Sequence, residues 1–173
     1  MRHAEAAGRG AGERHLSDRH IMTGLVKALD WFDNGLQNAL EAQGFCRVHR
    51  TQSMILVHIA RGIVNPADIA REMGSTRQNI HHMAKALIDA GLVIQARDPH
   101  DPRRTVYRFA PSAARIRGAA LEVLESLEHT LAERIGARTL EQLRAVLQLD
   151  WGPALEPRPA TLAHTGSNSR GTP

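Results

Sequence analysis

The chain has 173 residues, with 22 Lys plus Arg against 18 Asp plus Glu and an isoelectric point near 10.2. That is about the size of one domain, with a moderately basic surface suited to a polyanionic partner. Aromatic residues make up 3% of the chain, which excludes a stacking platform for single-stranded nucleic acid, and the single cysteine, Cys46, excludes an intrachain disulfide and fits a reducing compartment.

The first residues, MRHAEAAGRGAGERH, lack the apolar stretch of a signal peptide. Residues 1–14 are rich in Gly, Ala and Arg without periodicity, and a disordered basic arm is expected there. From Leu16 apolar residues recur at helical spacing (Ile21, Leu25, Leu29, Phe32, Leu36, Leu40), and Gly44 ends this long helix. TQSMILVHIARG follows as a short buried helix closing at Gly62; its apolar run is far too short to span a bilayer. A protein of the cytoplasm with no membrane partner is expected. In NPADIAREMG, Asn65 is the N-cap, Pro66 takes the first helical position and Asp68 stands in the first turn. Gly74 breaks that helix, and Thr76 caps the next, which runs to a stop at Gly91.

LVIQAR and TVYRF read as strands. Between them DPHDPR, with its prolines and aspartates, predicts a loop longer than a two-residue turn. Pro111 opens a second long helix carrying Ile116, Ala120, Val123, Leu127 and Leu131 on one stripe. Thr139 and Gln142 predict a capping box for a final helix through Leu149. After Trp151 the composition is that of a tail, so residues 15–152 are expected to form a single domain and 153–173 a disordered end. The fold class is mainly α with a small β-hairpin wing: a winged helix-turn-helix at about 51–109 between long N- and C-terminal helices.

The helix behind Thr76 carries the chemistry. Ile80, Met83, Ala84 and Leu87 share an inward face, and Gln78, His82, Lys85 and Asp89 stand opposite, with His81 beside them and Arg77 and Asn79 near the exposed start. Helix-turn-helix proteins present the first residues of the second helix to base edges in the major groove. Here those are Thr76, Arg77, Gln78, Asn79, His81 and His82; Arg pairs bidentately with guanine, and Gln or Asn with adenine. A solvated outer face is the competing reading for any such stripe. A metal site is not expected. Adjacent histidines on a helix point about 100° apart, no histidine here has another four residues away, and Cys46 with His49 is a lone C-x-x-H without a second half. No Gly-rich phosphate loop, G-x-S-x-G or H-E-x-x-H is present, so neither an enzyme nor a cofactor is expected.

From about Thr51 to Phe109 the chain resembles the MarR family of winged-helix regulators. NPADIAREMGSTRQNIHHMAKALIDAGLV and RDPHDPRRTVYRF carry the resemblance, the second through an Asp and an Arg separated by one position, Asp101 and Arg103. The resemblance implies that Asp101 orients the wing arginine and that Arg103 reaches the minor groove; Arg104, facing differently at the start of the returning strand, is expected to meet a phosphate or water. The helices at about 16–43 and 111–149 correspond in order and length to that family's dimerisation helices. One departure is Phe109-Ala110-Pro111, where the family usually has a Leu-Thr pair capping the helix after the wing. The implied function is that of a homodimeric repressor on an inverted-repeat operator in double-stranded DNA, released by a small-molecule effector. An effector pocket near the end of the first helix would draw on Trp31, His49, Arg50 and His58. The alternative is a winged-helix module for protein contact, without an operator of its own. Cys46, with no intrachain partner, is expected to fill space and not to act as a redox switch.

Overall fold

The computed structural model describes residues 20–153. The expected arm at 1–14, the start of the first helix at Leu16 and the tail beyond Pro153 lie outside them. Helix α1 spans Ile21–Ala42. It closes as its Gly predicts: Gly44 takes φ +84°, its N–H donates to Glu41 O at 2.9 Å, and the Phe45 N–H donates to Leu40 O at 3.1 Å. Helix α2 spans Arg50–Ala60, opened by the His49 N–H donating to Gln52 Oε1 at 2.9 Å. Helix α3 spans Pro66–Glu72, with the Asn65 side chain accepting from the Ala67 N–H.

Helix α4 spans Arg77–Asp89 behind its Thr76 cap. Strands β1 (Val93–Arg97) and β2 (Thr105–Phe109) follow, antiparallel with Val93 opposite Phe109 and Arg97 opposite Thr105. One core holds α2, α3, α4 and the hairpin together: Ile55, Ile59, Ile69, Ala70, Ile80, Ala84, Leu87, Val93 and Tyr107. The inward face expected for α4 is the observed one, with Ile80, Ala84 and Leu87 buried and Met83 packed against the cluster. The Tyr107 N–H donates to Val64 O at 2.8 Å, which ties β2 to the segment entering α3.

Two sequence expectations are corrected beyond the wing. Pro111 does not open an α-helix directly. Residues Pro111–Ala113 form a 3-10 turn, and helix α5 runs Ala114–Ile135. Ala110 offers no capping side chain, and the Ala113 N–H instead donates to Ala110 O at 3.0 Å, the tighter winding common at helix starts. The final helix, α6, spans Ala137–Leu147 behind Gly136. Thr139 lies inside its first turn, so the Thr139–Gln142 capping box does not form. Gly136, at φ +88°, reverses the chain directly after α5, and the Leu140 N–H already donates to Gly136 O at 3.1 Å.

Helices α1 and α5 pack closely. A Cβ on Gly35 would lie 2.7 Å from Leu127 Cδ2, so any larger residue there would require the α5 leucine side chain to shift. Arg144 of α6 donates to Glu128 Oε2 of α5 at 2.6 Å, fixing the last helix to the previous one. Among the described residues no helix is long and apolar enough to cross a membrane.

Candidate nucleic-acid interface

The turn Gly74-Ser75 and the Thr76 cap set the direction in which α4 leaves the head. Gly74 takes φ +57°, and the Ser75 N–H donates to Ala70 O at 2.8 Å, closing α3 against the turn. Thr76 Oγ1 then accepts from the Asn79 N–H at 3.2 Å, satisfying one of the free donors at the start of α4. The expected recognition residues divide by what already holds them. Arg77, Gln78 and His82 are exposed and make no side-chain hydrogen bond or ion pair among the described residues. Asn79 Nδ2 donates to Ser75 Oγ at 3.0 Å, which turns its amide back on the cap. Lys85 pairs with Asp89 at 3.0 Å on an exposed face, where such a pair is weak and easily exchanged for a phosphate.

His81 departs from the simple outward position. Its Nδ1 lies 2.6 Å from the Tyr107 hydroxyl, with the two rings edge-on at 75° and centroids 6.0 Å apart. Tyr107 is 1% exposed. Burial raises its pKa above the ordinary tyrosine value, against a lowering by the charge of Arg77, so the hydroxyl keeps its proton. The contact links the second turn of α4 to the middle of β2.

The wing tip differs from the implied pattern in one respect. The Asp101 carboxylate does not hold the Arg103 guanidinium. Its Oδ1 accepts the backbone N–H of Arg103 at 3.0 Å, and its Oδ2 pairs with Nε of Arg104 at 3.2 Å. A loop this short brings an aspartate to the main chain two residues on, an Asx turn, and the next side chain on that side is Arg104. Asp98 Oδ1 makes the same turn with the His100 N–H at 2.9 Å, and Arg97 Nη1 donates to Pro102 O at 3.0 Å. Arg103 is thus the wing cation whose backbone is pinned and whose guanidinium has no partner among the described residues.

The four expected effector residues do not form one pocket. His49 and Arg50 border a polar cleft of about 330 Å³ with Asp33, Gln37 and Arg47. Arg50 is engaged by Asp30 and lies 3.6 Å from Asp33; hydrogen bonding to Asp30 raises its pKa. Trp31 meets Phe32 edge-on at 4.9 Å and lies under Arg134 at 5.7 Å. His58 is half-buried, with Nδ1 enclosed and unpartnered. Burial lowers its pKa below the ordinary 6.5, and the charge of Arg61 adds to this while Glu72 opposes it.

Sequence reasoning missed a larger apolar cavity of about 550 Å³ between α1, α2, β2 and α5, walled by Leu36, Leu40, Met54, Phe109, Ile116 and Leu124, with Cys46 and Arg117 at its border. No motif marks it, because its walls come from four elements that read singly as core stripes. Cys46 itself is exposed, so it does not fill interior space. Among the described residues no three His, Cys, Asp or Glu side chains come together as a metal site.

Residues 48–104 match the sequence profile of the MarR family. Among solved structures the chain is similar to CouR from Rhodococcus jostii bound to p-coumaroyl-CoA, at 25% identity, covering 79% of this chain and 94% of that one, with a TM-score of 0.58. It is also similar to apo MarR from E. coli, at 17% identity over 73% of this chain and 93% of that one, TM-score 0.53. MepR from S. aureus bound to ethidium bromide shares 16% identity over 76% and 92%, TM-score 0.50. At the two lower identities the likeness is one of fold. No curated protein matches the sequence.

Proposed function

We propose that this chain, whose residues 48–104 match the MarR-family profile and whose fold is similar to that of CouR, is a MarR-type transcriptional regulator, a homodimeric repressor acting on an inverted-repeat operator. Each subunit lays α4 in the major groove and the β1–β2 tip over the adjacent minor groove. The observation that carries this reading is the set of exposed side chains that make no side-chain hydrogen bond or ion pair among the described residues, Arg77, Gln78 and His82 on α4 and Arg103 on the wing. These side chains can exchange water for base edges and phosphates without first breaking a hydrogen bond or ion pair of their own.

Dimerisation is supported by apolar side chains left exposed on the terminal helices: Ile21 and Met22 on α1, Leu121 on α5, and Leu143, Val146 and Leu147 on α6, with Leu149 and Trp151 beyond it. Large apolar side chains exposed along these helices are what a second copy would cover. Two-fold symmetry then sets half-sites about one helical turn, roughly 10 bp, apart. Release by a small-molecule effector is supported by the apolar cavity between the long helices and the head, a volume in the range of ligand sites, and by p-coumaroyl-CoA in CouR.

The test is selection of bound duplexes from a random DNA pool, paired with sedimentation of the free protein. The expected result is a dimer and an enriched site with a dyad. A monomer, or an enriched site without a dyad, removes the dimeric reading; no enrichment at all removes the operator.

A further inference from the structure

We propose that Tyr107 is a positioning residue for DNA recognition: its hydroxyl holds His81 in the Nε2–H tautomer, a fixed hydrogen-bond donor presented to an acceptor on the operator. The inference rests on the DNA-binding reading above and adds to it a residue that lies outside the recognition helix.

The argument starts from a buried proton. The Tyr107 side chain is enclosed in the head, and among the described residues His81 Nδ1 is the one hydrogen-bond partner of its hydroxyl. A neutral imidazole has one N–H and one bare nitrogen. If Nδ1 carried the N–H, the hydroxyl could accept it, but the hydroxyl's own proton would be buried without an acceptor, at the full desolvation penalty. With Nδ1 bare, the hydroxyl donates and both groups are satisfied. The ring N–H is thereby forced onto Nε2, since the partner of one ring nitrogen decides the state of the other.

His81 is otherwise exposed, four residues after Arg77 and three after Gln78, and so on their side of α4. His81 makes no other hydrogen bond, ion pair or ring contact among the described residues. The edge-on contact with Tyr107 fixes the plane of the ring as well as its tautomer. A donor at this place meets acceptors only: a phosphate oxygen, a purine N7, guanine O6 or thymine O4. It is rejected by the amino groups of cytosine and adenine. A histidine free to change tautomer would tolerate either kind of partner.

The experiment uses the full chain. Imidazole nitrogen spectra of wild type and Tyr107→Phe, taken where the ring is neutral, report the His81 tautomer directly. Wild type is expected to show Nε2–H alone, and Tyr107→Phe a mixture. Operator affinity should fall about five-fold in Tyr107→Phe, the scale of one hydrogen bond. That loss should shrink below about two-fold when His81 is already Ala or Gln, because neither side chain has a tautomer to fix.

Thermal melts show whether Tyr107→Phe is folded. If it is not, His81→Gln against His81→Asn in the native background decides, Gln retaining the donor at the reach of Nε2 and Asn losing it. Selection from a random pool separates the two sources of the acceptor: a base contact loses preference at one position, a phosphate contact weakens all sequences alike, and either supports the proposal. An Nδ1–H signal in wild type, or equal losses on Tyr107→Phe with and without His81, overturns it. If wild type enriches no sequence, the operator reading fails and the proposed role of Tyr107 fails with it, while the spectrum still reports on the tautomer by itself.

Discussion

Arg103 and Arg104 are neighbours on the wing, yet the Asp101 carboxylate treats them differently. It pins the backbone of the first and the guanidinium of the second. Arg103→Ala is therefore expected to weaken operator binding by about 1–3 kcal/mol, the range for a good direct contact. It should also reduce the preference for A·T pairs beside each half-site, where a narrow groove attracts an inserted arginine. Titration on the native operator and on one with G·C flanks checks both; equal binding of wild type and variant to the two duplexes removes the wing assignment. Asp101→Ala should reproduce part of the loss, because it unfastens the loop and releases Arg104.

His58 carries a second expectation at this scale. Its folded pKa lies below the ordinary 6.5 because burial disfavours the charged ring. The unfolded chain therefore binds more protons than the folded one in that window. The contribution of His58 to stability is complete above 6.5 and is lost as pH falls from 6.5 through the lower folded value. Urea unfolding from about pH 8 to about pH 5 should show a smaller acid loss in His58→Leu than in wild type, because the only histidine removed is the one held neutral. Identical slopes would show that His58 does not titrate differently on folding.

The joint between α1 and α2 is held by a buried polar link. Gln37 is 3% exposed; its Nε2 donates to Ser53 Oγ at 3.1 Å, and its Oε1 accepts the Val48 N–H at 3.0 Å. A leucine there would leave the Val48 donor and the Ser53 hydroxyl without these partners. Gln37→Leu is expected to lose about 1–3 kcal/mol in urea melts, despite adding an apolar side chain to a buried place. Wild-type stability in that variant would show that the link contributes nothing. Element boundaries were legible wherever a side chain or glycine acts on its own neighbours. Asn65, Pro66, Thr76, Gly44 and Gly91 all stand where their local chemistry puts them. The start of α6 was not legible, because Thr139 and Gln142 have the right spacing for a capping box, but Gly136 turns the chain three residues earlier. Tyr107 escaped notice for a related reason. Its partner His81 is 26 positions away, and a strand pattern marks a tyrosine as core without saying which polar atom its hydroxyl meets.

For the whole molecule, the terminal helices leave large apolar side chains exposed, Ile21 and Met22 at the start of α1 and, on α6, Val146 and Leu147 at 52% and 50%. Changing both, Val146→Asp with Leu147→Glu, should leave helical content unchanged because neither side chain is buried within the chain. It should shift sedimentation to the monomer and weaken operator binding by about a hundred-fold or more, because the two half-sites are then no longer bound by a linked pair. A dimer of undiminished strength in that variant would place the interface elsewhere. Among the effector candidates, two stand at the polar cleft and none borders the apolar cavity.

What the sequence determined by itself is the order and type of the elements and the outward face of α4. Periodicity, caps and glycines act within a few residues, and a helix turns its polar stripe away from any core it packs on. The tertiary structure alone decided which of those polar groups remain available. Asn79, Lys85 and Arg104 are each held by a neighbour, His81 is held by a strand far along the chain, and Arg103 is left to reach outward. It also opened the apolar cavity, whose walls meet only when α1, α2, β2 and α5 are packed. Hydrogen bonds and cavities depend on distances of a few ångströms between segments far apart in the chain, and no spacing within one segment encodes them.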